Sequence, residues 1–397
     1  MQYSHRPCPI CAENRRSVLF VQRFAELSSG SLLHGYDVVA CDSCGFCYAD
    51  RIPEQAEFDA HYRDMSKYEH QERGGTEPPG DLARLEKVAT IIRSAVPARD
   101  VRVLDIGCST GGLLAMLKQA GYTSLRGLDP SPVCAAAARR LHGIDVITSC
   151  LNDFVPASER FDLVVLSAVL EHLCEVRSTL AQIRGMLSEQ GYIFVSVPNA
   201  ARFLHDNDAP FQEFSTEHIN FFSSVSLSNL LRRAGFQEVF SQENAYATGD
   251  GSVVVTPVVD ALFQRSSALD PCNVRDEVTQ PALEAYIEKS QAIDARIRQI
   301  IDQVVEEGQP ILVWGTGTHT CRLLATSRLA EAQIAAFVDA NPRYQGKHLN
   351  NIPILAPRDL VGRSEPILIS SRTFQREIVH QIRESLRLNN RLHLLYD

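Results

Sequence analysis

The sequence predicts an α/β chain in three parts: a small cysteine-bearing ribbon, then two domains of mostly parallel sheet. Three observations carry that reading. Two C-x-x-C pairs stand near the N-terminus, strand-like and helix-like segments alternate between about residues 80 and 240, and a second alternation opens at Ile311. A βαβα rhythm puts helices on both faces of a parallel sheet. At 397 residues the chain exceeds one ordinary domain, and the expected divisions are 1–72, 73–258 and 259–397.

Composition bounds the function classes. With 45% hydrophobic and 22% charged residues, the chain reads as a soluble globular protein rather than a disordered one. No apolar run approaches the roughly 18–20 residues of a membrane helix. The opening MQYSHRPCPIC lacks the apolar core of a signal peptide, so the expected location is cytoplasmic. Lys and Arg number 39 against 48 Asp and Glu, a net charge of −9, and a nucleic-acid partner is not expected.

The ribbon comes first. Five of the eleven cysteines fall in the first 47 residues, as Cys8-Pro-Ile-Cys11 and Cys41-Asp-Ser-Cys44-Gly-Phe-Cys47. Two such knuckles present four thiolates to a tetrahedral Zn²⁺. Cys8, Cys11, Cys41 and Cys44 are the expected ligands, with strands between the knuckles; the spacing of Cys47 fits less well. Four protein ligands leave no open position, so this zinc is structural. The competing readings are buried free thiols or a redox pair, which lacks the βαβ surroundings it needs.

The middle part follows. Residues 54–73 are polar with aromatic interruptions, including Tyr62 and Tyr68, and 74–80 (GGTEPPG) reads as a loop. Residues 82–96 are helical. A strand over 101–106 leads into the turn Gly107-Cys108-Ser109-Thr110-Gly111-Gly112 and a helix through Ala120. The strand 124–128 ends at Asp129-Pro130, and Pro132 opens another helix. Strands over 145–148, 161–167 and 192–197 continue the alternation.

Three chemistries use such a turn. Gly107-x-Ser109-x-Gly111 fits a nucleophile elbow, but no HGGG-like oxyanion segment accompanies it. A dinucleotide fingerprint needs a fuller G-x-G-x-x-G. Asp105-x-Gly107-x-x-x-Gly111 fits an S-adenosylmethionine loop, in which glycines admit the cofactor and the carboxylate faces its amino acid end. Asp129 then suits the two ribose hydroxyls, and Cys150-Leu151 flanks the adenine. Cys108, Pro130 and Ser167 complete the expected cofactor contacts. Four features in this order favour the third reading.

On VLDIGCSTGGLLAML, GLDPS, FDLVVLSAVLEHL and GYIFVSVPN the chain resembles the class I S-adenosylmethionine-dependent methyltransferases. Glu171-His172 belongs to the LEHL signature, and His172 is weighed between shaping the cofactor pocket and touching substrate. The order ribbon, methyltransferase, second α/β domain further resembles the three-domain nucleotide-sugar C-methyltransferases. That family carries Tyr-x-Glu-His and a Tyr-Phe-Ser ending after the fifth strand. Here the segment is Ser215-Thr216-Glu217-His218-Ile219-Asn220-Phe221-Phe222-Ser223, with Ser215 in place of the tyrosine. The resemblance implies His218 as general base, with Glu217, and loosely Tyr68 as a catalytic tyrosine. Gly251-Ser252 matches a Gly-Gly-Ser segment, Asp250 replacing its first glycine.

Chemistry points to the same segment, because methyl transfer needs an aimed and usually deprotonated acceptor. A segment past the fifth strand lies over the carboxyl edge of the sheet, where ligands bind. The bland alternative is that Glu217-His218 caps a helix starting near Ser226.

The third part opens after a break-rich linker, 266–281. A long helix over 284–307 carries apolar positions at helical spacing, including Ile287, Ile297, Ile301 and Val304. A strand over 311–314 runs into Gly315-Thr316-Gly317-Thr318-His319-Thr320, and 334–338 ends at Asp339. This Rossmann-like half suggests NAD only weakly, as Thr320 stands at the third glycine. The resemblance implies instead that it helps hold a sugar nucleotide.

The reading is therefore a small-molecule methyltransferase using S-adenosylmethionine, with a nucleotide-linked keto sugar as the expected acceptor. O- or N-methylation of another scaffold is the alternative, and RNA methylation a more distant one.

Overall fold

The structure is a computed structural model that describes residues 3–25, 32–64, 77, 79–155, 159–205, 209–248, 254–267 and 274–396. Two compact units emerge: residues 1–18, 39–206 and 218–283 form one, and 19–38, 207–217 and 284–397 the other.

The first unit holds the start of β1 (Arg16–Arg23) and the end of β2 (Gly35–Cys41), whose other residues belong to the second unit, then β3 (Cys47–Asp50), α1 (Gln55–Asp64), α2 (Pro79–Ala95), β4 (Arg102–Ile106), α3 (Gly112–Gln119) and β5 (Ser124–Asp129). There follow α4 (Pro132–His142), β6 (Val146–Thr148), β7 (Phe161–Ser167), α5 (Val176–Met186), β8 (Leu187–Pro198), β9 (Asn220–Phe221), α6 (Ser224–Arg233), β10 (Phe236–Thr248) and β11 (Val254–Arg265). A seven-stranded sheet runs β10-β11-β8-β7-β4-β5-β6. β4 to β8 pair in parallel, and β10 and β11 extend the sheet antiparallel. The order reverses at β4, which has β5 on one side and β7 on the other. That switch point is where such sheets hold ligands.

Alternation sets the two cores. Val103, Leu163, Val165, Phe194 and Leu262 face α2 and α3, burying Val88, Ile92, Leu113 and Leu117. Leu104, Leu128, Val164, Leu166 and Val195 point the other way, toward Leu180, Ile183, Leu227 and Leu230. Local signals fix the helix ends. Ser131 caps α4, with Pro132 at its first position and Gly143 closing it in the left-handed region.

The second unit holds most of α7 (Thr279–Glu307), then β12 (Ile311–Trp314), α8 (Thr318–Thr326), β13 (Ile334–Val338), β14 (His348–Leu349), β15 (Ile352–Leu355), β16 (Ile367–Ile369), α9 (Gln375–His380) and β17 (Leu392–Leu394). Its sheet runs β14-β15-β13-β12-β16-β17, parallel except for β14.

Several expectations are corrected. The polar stretch after Glu54 contains α1, and α2 starts inside the presumed loop because Pro79 is tolerated in a first turn. The linker ends at Thr279, where the Asp276 carboxylate accepts the Val278 and Thr279 amides; Pro281, in the first turn, costs no hydrogen bond. The 258/259 division falls inside β11, which pairs with both β8 and β10 as far as Arg265 or its neighbour. The ribbon is not separate from the sheet either. β3 pairs with β9, and Cys8, Ile10, Cys41, Cys44, Phe46 and Tyr48 belong to the same core as Leu104 and Phe222. Finally, α6 is capped by Ser223 and Ser226, so Glu217-His218 is not its cap.

Candidate active site and cysteine cluster

The β4–α3 turn is held in shape by its neighbours. Gly107 and Gly111 have φ of +71° and +83°, where a side chain is strained. A Cβ on Gly107 would meet Val169 Cγ2 at 2.8 Å, and one on Gly111 would meet Ala138 Cβ at 3.1 Å. The close approach required of Gly111 is thus to helix α4. The Gly107 amide donates to the Leu128 carbonyl at 2.7 Å, tying the turn to β5.

A cleft opens beside this turn, lined by Glu77, Asp81, Arg84, Asp105, Ser109 and Ser167 among others. Burial pushes the Asp105 carboxyl up to about 8, against the pull of the Arg84 guanidinium and with a push from Asp129. Arg84 donates to Ser167 Oγ at 2.7 Å. The Ser109 hydroxyl is buried in the cleft wall with no partner among the described residues. Three carboxylates, one guanidinium and an orphaned hydroxyl suit a ligand with cationic and carboxylate groups together, as S-adenosylmethionine has. Arg84 escaped the sequence reading because a helix preceding the motif carries no spacing signal, and Glu77 because it stands in the stretch read as a loop.

Asp129 ends β5 beside the cleft. Its carboxylate accepts the Ser109 amide at 2.8 Å and the Ser131 amide at 2.9 Å, while burial raises its pKa. Each oxygen keeps a lone pair for a hydroxyl. Cys108 lines the cleft with its thiol turned toward Gly127, and Pro130 is half-buried one residue beyond Asp129. Cys150 takes a contact from Arg63 at 3.7 Å, and Leu151 starts a short turn.

A second cluster lies along the segment leaving the cleft. Ser167 and Ala168 line the cleft, and Glu171-His172 follow in a one-turn 3₁₀ helix. His172 and His218 approach edge to face, ring centroids 5.0 Å apart at 63°. The Tyr62 hydroxyl of α1 is 3.0 Å from His172 Nδ1. Buried Glu171 lies 3.8 Å from His172 Nε2. One ligand atom each from Glu171, His172 and His218 falls within a 4.8 Å span, so the set can shuttle a proton or hold a cation. Sequence spacing assigned neither Tyr62 nor Glu171 to this cluster. Tyr68 and Gly251-Ser252 lie outside the described residues. Glu217 donates its amide to Ser215 Oγ at 3.2 Å, and its charge, after burial and Asp339, raises the Tyr344 phenol.

At the N-terminus, Sγ of Cys8 lies 3.6 Å from that of Cys44, and Cys11 Sγ 3.5 Å from that of Cys41. All four sulfurs fall within 4.8 Å of one another. Tetrahedral Zn–S bonds of roughly 2.3 Å require sulfurs about 3.8 Å apart, so the donor set fits that ion.

The C-terminal loop is filled by its own residues. Thr320 Oγ1 bonds the Gly315 carbonyl and Ser370 Oγ, both at 2.8 Å. Asp339 accepts from the Thr316 amide and hydroxyl and the Asn341 amide. His319 is buried on α8 against the Tyr396 hydroxyl, and burial lowers its pKa to about 3. Among the described residues no helix is long and apolar enough to cross a membrane.

A mostly parallel sheet with a glycine turn and acidic residues at its switch point is an arrangement that holds nucleotide-like ligands. Residues 68–240 match the methyltransferase domain family, and 308–392 match C2185-like, N-terminal. The chain is an S-adenosylmethionine-dependent methyltransferase. It is similar to C-methyltransferase NovU of Streptomyces niveus, 25% identical over 384 residues that span 90% of this chain and 85% of that protein. Ubiquinone biosynthesis O-methyltransferase of Bradyrhizobium diazoefficiens is 35% identical over 123 residues, 30% of this chain and 47% of that one. Among solved structures, 1,6-didemethyltoxoflavin-N1-methyltransferase of Burkholderia thailandensis aligns over 57% of this chain and 98% of its own, at 19% identity and a TM-score of 0.42. That likeness is too slight to bear on substrate or mechanism.

Proposed function

We propose that the enzyme methylates carbon next to the ketone of a nucleotide-linked sugar, with His218 as general base. The observation that carries this is the His172–His218 pair, one turn along the chain from the cofactor cleft. Similarity to a C-methyltransferase over most of both chains supports carbon as the acceptor.

S-adenosylmethionine, when bound, supplies an electrophilic methyl group on a sulfonium. Asp105 and Arg84 would take its amino acid end, Asp129 its ribose, and Cys150 and Leu151 would border its base. His218 would remove the acceptor α-proton: the C–H bond breaks, its electron pair becomes the enolate, and the proton stays on imidazole. The enolate carbon then forms the new C–C bond as the S–CH₃ bond breaks, and His218 returns its proton to solvent. His172 holds the adjoining position, oriented by Tyr62. Cys8, Cys11, Cys41 and Cys44 would hold a structural Zn²⁺ that takes no part in these steps.

O-methylation has one observation in its favour: Ser215 stands where an enolate-steadying tyrosine is expected. Carbon NMR of the product separates the two. Labelled methyl from the cofactor should appear as a C-methyl resonance on a 4-keto sugar nucleotide, whereas a methoxy or N-methyl resonance would overturn the carbon assignment.

A further inference from the structure

Asn220 stands two residues after His218 and is almost wholly buried, at 2% exposure. Its amide nitrogen donates to the carbonyls of Leu170 at 2.8 Å and Leu173 at 2.7 Å. Those two residues bracket Glu171-His172. Its Oδ1 accepts from Arg6 Nη2 at 2.7 Å. Arg6 only donates and carbonyls only accept, so the amide has one possible orientation and all its hydrogen atoms are used. Backbone pairing runs parallel to this staple. The Ile219 amide donates to the Glu171 carbonyl at 2.8 Å, the Ala49 amide to the Ile219 carbonyl at 2.9 Å, and Asn220 pairs with Tyr48 in β3.

We infer that Asn220 is a positioning residue that fixes the spacing of the His172–His218 pair, anchored through Arg6 and β3 to the N-terminal ribbon. The inference rests on the acid–base reading of that pair. One side chain joins the strand entry carrying His218 to both ends of the turn carrying His172. Any slip between the two segments must break its bonds. Asn220 touches neither ring in these contacts and lines no part of the cofactor cleft. Its loss should therefore change chemistry and leave cofactor binding alone. A misplacement of about 1 Å at a reacting group is enough for roughly a hundredfold loss of rate.

The test uses the full-length chain and two variants. Asn220→Asp keeps the shape but turns carboxylate oxygen toward the Leu170 and Leu173 carbonyls. Arg6→Gln removes the bond to Oδ1, the charge and the guanidinium's place over the Tyr48 ring, leaves the two Asn220 amide donations intact, and stands in should Asn220→Asp not fold. For Asn220→Asp the expected result is S-adenosylmethionine affinity within about twofold of wild type by calorimetry, acceptor KM within about threefold, and kcat lower by roughly 10–100-fold. In protein with labelled histidine, the cross-ring nuclear Overhauser effect between His172 and His218 should weaken or vanish. Arg6→Gln should move both readouts the same way by less. A folded variant of either kind that keeps the cross-ring effect and the wild-type kcat overturns the inference. Should His218→Ala retain full activity, the acid–base reading fails instead, whatever the ring spacing does.

Discussion

The Tyr62 hydroxyl sits 3.0 Å from Nδ1 of His172, the rings nearly perpendicular at 74°. With Nδ1 engaged, the other imidazole nitrogen is directed toward the Glu171 side of the cluster. A phenol on α1 thereby sets the orientation of a histidine 110 residues further along.

Tyr62→Phe removes that hydrogen bond and little volume. A net contribution of about 0.5–1.5 kcal/mol predicts a kcat about 2- to 12-fold lower, with S-adenosylmethionine affinity unchanged. Steady-state kinetics across pH checks this; an unaltered kcat and pH profile would remove Tyr62 from the site.

Asp105 predicts a pH-dependent affinity. Its buried carboxyl, raised to about 8, keeps its proton up to that pH in the free enzyme. A cationic group bound beside it favours the ionised form, so binding below pH 8 expels a proton. Affinity should rise with pH toward 8 by as much as roughly tenfold per unit, then level off. Calorimetry in two buffers of different ionisation enthalpy at pH 6.5 should show proton release, lost in Asp105→Asn. Binding without proton release in wild type would move the cofactor's charged end elsewhere.

Asp129 has two duties that two substitutions separate. Asp129→Asn leaves an acceptor for one loop amide while losing a charge-assisted ribose contact of about 1.5–3 kcal/mol, hence roughly 10–150-fold weaker cofactor binding. Asp129→Ala should also lower Tm, because the Ser109 and Ser131 amides lose their partner. Equal cofactor affinities for the Asp129→Asn variant and the wild-type enzyme would place the ribose contact on another residue.

Legibility in the sequence followed period and position. β7, β12 and β13 were readable to the residue, since short apolar runs end in Ser167, Gly315 and Asp339. The turn between β4 and α3 was readable because its glycines stand at the positions where φ is positive. What escaped was long-range. α1 is polar with a weak stripe, so nothing local announced that Tyr62 faces His172. The pairing of β3 with β9 joins residues about 170 apart, beyond the reach of any pattern in sequence. The chain's division at 18/19, 38/39, 206/207 and 217/218 is likewise a property of packing, not of composition.

The cysteine cluster should hold one zinc per chain by elemental analysis, and replacing Cys8 and Cys11 with Ser should abolish it. Because these cysteines share a core with the central sheet, metal loss should lower the melting of that sheet in one transition. Full zinc retained by the double variant would reject the ligand set. A separate low-temperature transition would show a ribbon that unfolds alone.

The central claim is that His218 abstracts a proton from carbon. In D₂O, with a 4-keto sugar nucleotide and no methyl donor, wild-type enzyme should wash deuterium into the carbon beside the ketone, followed by proton NMR. His218→Ala should slow that exchange by about a hundredfold or more. No exchange by the wild-type enzyme, or exchange undiminished in His218→Ala, would contradict the account.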